Sequence, residues 1–124
     1  MRIKLADRES DLMGILWDYG ACTVAEVRER LEDDLAYTTV LTILRTLEAK
    51  GYVAHEQDGR AHRYRALVAR DAARHSALRT LSEKFFKGST ELLLTHLVES
   101  QPLSEAQTQR IRQLLDKRGR KARS

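Results

Sequence analysis

Residues 23–66 read TVAEVRERLEDDLAYTTVLTILRTLEAKGYVAHEQDGRAHRYRA, and the order of signals in this stretch decides the fold. Thr23-Val24-Ala25-Glu26 is a capping box, in which a threonine oxygen and a glutamate carboxylate reach reciprocally for the orphan amides of a helix start. The helix it opens buries Val24, Val27 and Leu31 and exposes Glu26, Arg28, Glu29 and Arg30, and the acidic cluster Glu32-Asp33-Asp34 ends it. A second helix begins near Ala36 and runs to Lys50, with Val40, Ile43, Leu44 and Leu47 inward and Gly51 as the residue that stops it. Tyr52 to Gln57 has β-favouring residues, Asp58-Gly59 is a two-residue hairpin signal, and Arg60 to Ala66 returns as the partner strand. The β-branched content of the pair is low, so the hairpin must lean on the helices. Helix, turn, helix and hairpin in this order outline a winged helix, a module that most often reads duplex DNA.

Working outward, Ile3 and Leu5 form a short extended lead-in, and a helix is predicted from about Asp7 to Tyr19. Leu12, Ile15, Leu16 and Tyr19 repeat at the spacing of one buried stripe, Met13 and Trp17 widen it, and Gly20 ends it. Downstream, the pattern is helical again from about Arg70, through Ala73, Ala77, Leu78, Leu81, Phe85 and Phe86 to an interruption at Gly88. An apolar helix follows with Leu92, Leu93, Leu94, Leu97 and Val98, halted before Pro102. Ser104 to Gln107 is a second capping box, opening a last helix with Ile111, Leu114 and Leu115 inward. Gly119 to Ser124 reads as a frayed basic tail. The expected chain is mainly α: a winged helix-turn-helix domain with a small β-hairpin wing over 1–67, a helical dimerisation domain over 68–118, and a basic tail over 119–124.

The totals narrow the function. The chain has 124 residues, of which 42% are apolar and 32% charged, which suits a helix-rich globular protein. No apolar run approaches the roughly 20 residues needed to span a bilayer, and MRIKLADRESD turns charged too soon for a signal peptide, so a cytoplasmic protein is expected. A single cysteine, Cys22, excludes an internal disulfide framework and is expected to be a small buried residue. Residues 1–66 carry ten Lys/Arg against twelve Asp/Glu, whereas residues 67–124 carry twelve against six. Five of those twelve lie between Lys117 and Arg123, so the net charge of +4 reports a basic carboxyl end more than a basic head. His55, His62, His75 and His96 are scattered, and no phosphate loop, nucleophile elbow or metal-spaced set occurs. Catalysis, a metal and a cofactor are not expected.

A helix that reads the major groove must present small polar and basic side chains, because base edges there offer hydrogen bonds and thymine methyls. Tyr37, Thr38, Thr39, Thr42, Arg45 and Thr46 meet that demand, with Thr38, Thr42 and Arg45 along one line of the helix. Arg60, His62, Arg63 and Arg65 place positive charge on the hairpin, where a wing meets backbone phosphate or the minor groove. Asp33, Asp34 and Asp58 lie close to that path and must be capped, turned away or tolerated. The carboxyl-terminal third exposes more apolar surface than short helices keep in water. Phe85, Phe86, Leu92, Leu93, Leu97, Ile111, Leu114 and Leu115 are therefore expected to form a two-fold dimer that spaces two recognition helices over a palindromic operator. The alternative is a winged-helix protein-interaction module without DNA binding, which the acidic balance of residues 1–66 favours.

With these elements in place, the chain resembles the penicillinase-repressor family (the BlaI/MecI type) of bacterial transcriptional repressors over nearly its whole length. The resemblance rests on Leu12-Met13-Gly14-Ile15-Leu16-Trp17, on Tyr37 to Leu47 leading to Lys50-Gly51, on Tyr64 in the wing, on Lys87-Gly88, and on the leucine-rich run before Leu103-Ser104. It implies a homodimer with winged-helix heads that sits on inverted-repeat operators and blocks transcription. In that family, repression is often relieved when a membrane sensor-protease signal leads to cleavage within the apolar tail helix, usually at Asn-Phe. The matching positions here are His96-Leu97. The paired cysteines of the family's copper-responsive branch are absent, and Ala6 stands where a Ser or Thr usually precedes the glutamate of the first helix.

Overall fold

The structure, a computed structural model, describes residues 2–123. Its elements run α1 (Asp7–Tyr19), β1 (Cys22–Thr23), α2 (Val24–Arg30), α3 (Tyr37–Ala49), β2 (Val53–Asp58), β3 (Ala61–Ala66), α4 (Arg70–Phe85), α5 (Thr90–Ser100) and α6 (Glu105–Arg123). Contacts group them into one compact unit up to Thr80 and another from Leu81 onward, the division falling within α4.

The first unit is built around α1, α2 and α3 leaning on a three-stranded antiparallel sheet of order β1-β3-β2. Leu12, Met13 and Leu16 of α1, Val24 and Val27 of α2, and Val40, Leu44 and Leu47 of α3 close the core, with Cys22, Val53 and Tyr64 from the sheet. Each buried aliphatic side chain contributes about 1.5–3 kcal/mol relative to exposure, which is what makes three short helices hold together. Tyr19 departs from the predicted stripe: it is 59% exposed and lies under the Arg30 guanidinium, 4.4 Å from its ring centroid. Trp17 is half-buried and donates its indole N–H to the Val68 carbonyl at 2.9 Å.

The caps explain the helix limits. Thr23 Oγ1 accepts the Glu26 amide at 3.2 Å and Glu26 returns the bond to the Thr23 amide at 2.8 Å, so the expected box is complete. At α1 only half a box forms: Glu9 accepts the Ala6 amide at 2.8 Å, and Ala6 has no oxygen to return. At the end of α3, Gly51 takes φ +84°, and the Gly51 and Tyr52 amides close on the Glu48 and Leu47 carbonyls. That positive φ is the conformation in which glycine has no Cβ penalty.

The wing differs from expectation by one residue. Asp58 pairs with Ala61, so the two loop residues are Gly59 and Arg60, with Gly59 at φ +61°. A positive φ confined to the first loop position is the requirement of a type II′ hairpin turn. Arg60 therefore sits at the tip and not on the strand. The hairpin is also held by β1, whose Cys22 and Thr23 pair with Tyr64 and Arg63. Two residues are too few for a sequence period to reveal.

The extended lead-in is pinned rather than paired: the Ile3 amide donates to Ser76 Oγ at 2.9 Å and the Lys4 amide to the Tyr52 hydroxyl at 3.0 Å. In the second unit, α4 ends where Lys87 takes φ 53° and Gly88 φ 73°, α5 is capped by Ser89, and Ser104 with Gln107 forms the second capping box. α6 continues helically past Gly119 to Arg123, where a frayed end was expected. No described residue from Leu81 onward is buried.

Candidate nucleic-acid interface

α3 is the centre of the candidate surface. Tyr37, Thr38, Thr39, Thr42, Arg45 and Thr46 are all exposed, whereas Leu41 is half-buried against the core. Thr42 Oγ1 donates to the Thr38 carbonyl at 2.9 Å and Thr46 Oγ1 to the Thr42 carbonyl at 3.0 Å. These back-bonds spend the hydroxyl protons on the helix and leave oxygen lone pairs and methyl groups free to meet base amines and thymine methyls. Arg45 has no hydrogen bond or ion pair among the described residues. The Ala36 cap carries no side-chain acceptor, so first-turn amides of α3 stay open toward solvent, a setting that suits phosphate.

The helix–turn–helix corner is held by short polar links. Arg28 Nε donates to the Leu35 carbonyl at 2.8 Å across the turn, and Asp33 is engaged by Arg8. At the far end of α3, Lys50 Nζ lies 2.7 Å from Glu9 Oε1. Burial pushes the Glu9 carboxyl up, but the Lys50 hydrogen bond, the Ala6 amide and the Lys50 charge outweigh it and leave it below the usual carboxylate range. This pair fixes the end of α3 to the start of α1.

Among the wing cations, Arg60 is exposed at the tip without a partner among the described residues, and Arg65 is exposed with only a 3.9 Å approach to Glu56. Arg63 is different. Its guanidinium bridges Asp58 and Glu26, both at 2.9 Å, and also reaches the Ala21 carbonyl at 3.1 Å. The Asp58 hydrogen bond heads the causes that hold the Arg63 guanidinium above its ordinary value. Glu26 falls below its own, chiefly because the Thr23 amide bonds its carboxylate. Of the three acidic residues near the proposed path, Asp33 and Asp58 are thus neutralised locally, and Asp34 stays exposed.

One joint escaped the sequence reading. His55 Nδ1 meets the Glu48 carboxylate at 2.7 Å, its amide donates to the same group at 3.2 Å, and its ring stacks on His62 with centroids 4.5 Å apart. α3 and the wing are thereby coupled, with buried Tyr64 beneath. Burial first, and the Glu48 charge next, push the Tyr64 phenol up, with Arg45 opposing. The hairpin register places His55 opposite Tyr64, and a loop centred one residue later in the sequence would have pointed to this pairing.

The residues expected at a dimer interface lie on α4, α5, α6 and the bend after α4. Phe85 is 72% exposed; Leu92, Leu97, Ile111, Leu114 and Leu115 are exposed, and Phe86 and Leu93 are half-buried. His96 and Leu97 are exposed on α5, with the His96 ring edge-on to Phe86 at 5.3 Å. Cys22 is buried, and no group of three or more potential metal ligands is arranged to hold an ion among the described residues. Among the described residues, no helix is long and apolar enough to cross a membrane.

An exposed threonine- and arginine-bearing helix beside a basic hairpin, on this scaffold, defines a winged-helix regulator. Solved structures of similar fold include a MarR family protein from Bacillus stearothermophilus, at TM-score 0.53 and 20% identity, covering 98% of this chain and 78% of that one. Another is MepR, a transcription regulator of the Staphylococcus aureus multidrug efflux pump MepA, at TM-score 0.50 and 19% identity, covering 96% and 81%. The family profile described as penicillinase repressor matches residues 5–117. Transcriptional regulator BlaI of Mycobacterium tuberculosis is 37% identical over 107 residues, covering 83% of this chain and 78% of that protein. Methicillin resistance regulatory protein MecI of Staphylococcus aureus is 22% identical over 117 residues, covering 93% and 95%. The chain belongs to the penicillinase-repressor family, whose members are DNA-binding transcriptional repressors and not enzymes.

Proposed function

We propose that two copies of this chain pair through their carboxyl-terminal helices and occupy an inverted-repeat operator in the cytoplasm, excluding the polymerase. Two copies of α3 enter successive major grooves, with Arg45 toward a guanine or a phosphate and Tyr37, Thr38, Thr39, Thr42 and Thr46 along the groove. Arg60, His62 and Arg65 on the wing hold backbone, and Arg63 shares its charge between phosphate and the carboxylates it bridges. The single observation that carries this reading is Arg45, an exposed and unpaired cation midway along a threonine-lined helix. Pairing through Phe85, Phe86, Leu92, Leu93, Leu97, Ile111, Leu114 and Leu115 is supported by the absence of any buried described residue from Leu81 onward.

Release of the operator is proposed to act on α5, through a sensor-protease or another signal. His96-Leu97 occupies the exposed stretch matching the family's cleavage position, and its chemistry differs from Asn-Phe. The test is binding of the purified protein to the intergenic DNA beside its own gene, with salt titrated and a scrambled duplex as control. Salt-dependent, sequence-selective binding of two chains per site is expected. Affinity equal to that for scrambled DNA, here and after selection from random sequence, would refute the reading.

A further inference from the structure

The chain's net positive charge resides in one helix. α6 holds seven Lys/Arg against two carboxylates, a surplus of five that exceeds the net +4 of the whole chain. The unit up to Thr80, which carries α3 and the wing, balances thirteen cations with thirteen carboxylates. A head that must approach a polyanion thus brings no surplus of its own, and the carboxyl end of α6 supplies it.

The placement exceeds what the helix needs for itself. A cation or two in the last turn offsets the helix dipole. Here Lys117, Arg118, Arg120, Lys121 and Arg123 fall within seven residues, with Lys117 three residues from Arg120 and four from Lys121. Like charges at those spacings repel along a helix. Lys117, Arg118 and Arg120 are exposed and have no carboxylate or hydrogen-bond partner among the described residues, so nothing within the described chain relieves them. A surface of mutually repelling cations held on a helix is complementary to a polyanion.

We infer that the Lys117–Lys121 end of α6 is a second binding surface, occupied by the phosphate backbone of duplex DNA flanking the operator. The inference rests on the repressor reading above. Duplex is favoured over a lipid surface because residues 116–123, DKRGRKAR, contain no large apolar side chain to insert, as an interfacial helix requires, and the exposed Ile111, Leu114 and Leu115 earlier in α6 are taken up by the pairing proposed above. Lys117, Arg118 and Arg120, long cationic side chains without acceptors among the described residues, contact phosphate and read no bases. The surface therefore adds affinity for any sequence, and selectivity stays with α3.

The test compares the full chain with Lys117→Gln/Arg118→Gln/Arg120→Gln/Lys121→Gln on operator and scrambled duplexes extended by more than one helical turn at each end. Loss of four phosphate contacts per chain, eight per bound pair, lowers the salt slope by about 7, so the parent should lose roughly 10⁴-fold more affinity than the variant between about 50 and 200 mM salt. The operator-to-scrambled ratio should be unchanged. Equal slopes with unchanged oligomeric state overturn the inference, as does loss of binding to anionic phosphatidylserine vesicles with equal DNA slopes. Should the fourfold variant change oligomeric state, Lys117→Gln/Lys121→Gln and Arg118→Gln/Arg120→Gln are measured separately; each should lower the slope by about half as much, and no change in either overturns the proposal. Failure of the repressor reading is distinguishable: the parent would then bind both duplexes alike, while the slope difference on scrambled DNA still decides for or against this surface.

Discussion

Replacing Lys50 with Met isolates the ion pair that fastens the end of α3 to α1. The side-chain stem is kept and the ammonium removed, which leaves the Glu9 carboxylate 5% exposed as a residue and deprived of its 2.7 Å partner. Breaking a fully buried pair in this way costs about 3–5 kcal/mol. Lys50 is 38% exposed and the Ala6 amide still bonds Glu9, so the effect here should be about half the low end of that range, ~1.5 kcal/mol, or roughly 6–12 °C in Tm for a unit of this size. The pH dependence gives the sharper check. In the parent the Glu9 value lies below that of an unfolded carboxylate, so its contribution is full above the unfolded value and fades as pH falls through the folded one. Without Lys50, burial is opposed only by the Ala6 amide, and the carboxyl should rise. A raised value makes ionisation destabilising above it, and that penalty disappears as the group protonates. Both effects narrow the gap between the two proteins as pH drops. Thermal unfolding followed by circular dichroism at pH 7 and about pH 4, at one fixed protein concentration, reads the gap directly. A gap of equal size at both pH values would refute the argument.

Arg45→Ala should reduce the preference for operator over scrambled duplex by about 1–3 kcal/mol with little change in stability, measured by paired binding titrations. Arg63→Ala should weaken binding to every sequence and flatten the salt slope by about one or more, because Glu26 and Asp58 lose the cation between them; an unchanged slope would confine Arg63 to bracing the wing. Lys87→Gly should raise stability by about 0.5–1 kcal/mol in chemical denaturation, since Lys87 holds φ 53° without glycine's freedom.

The winged-helix outline was legible because its punctuation is local. Thr23 and Glu26 cap each other within four residues, Gly51 stops α3 by its own φ, and α1 occupies the predicted Asp7 to Tyr19. What escaped depends on partners distant in sequence. The loop moved from Asp58-Gly59 to Gly59-Arg60 because strand register, not the dipeptide alone, sets which residues turn. Tyr19 left the stripe because the Arg30 cation offers its ring a face at the surface. In the candidate interface, composition marked Thr38, Thr42 and Arg45. It could not reveal that Arg63 is bridged to residues 37 positions before and five before it, or that Glu48 grips His55. Helical periodicity is blind to which of several exposed arginines already has a carboxylate.

The unburied second unit has a consequence for how much of this protein a cell can keep. Helices with no interior of their own have little to resist unfolding, and under the pairing proposed above each tail becomes ordered at the moment it meets another. Supply then sets survival: a scarce chain presents a loose leucine-rich segment that proteases find first, whereas an abundant one is paired and protected. Clearance that slackens as the pool fills would make the loss of repressor abrupt once synthesis falls, sharpening the switch without any added effector.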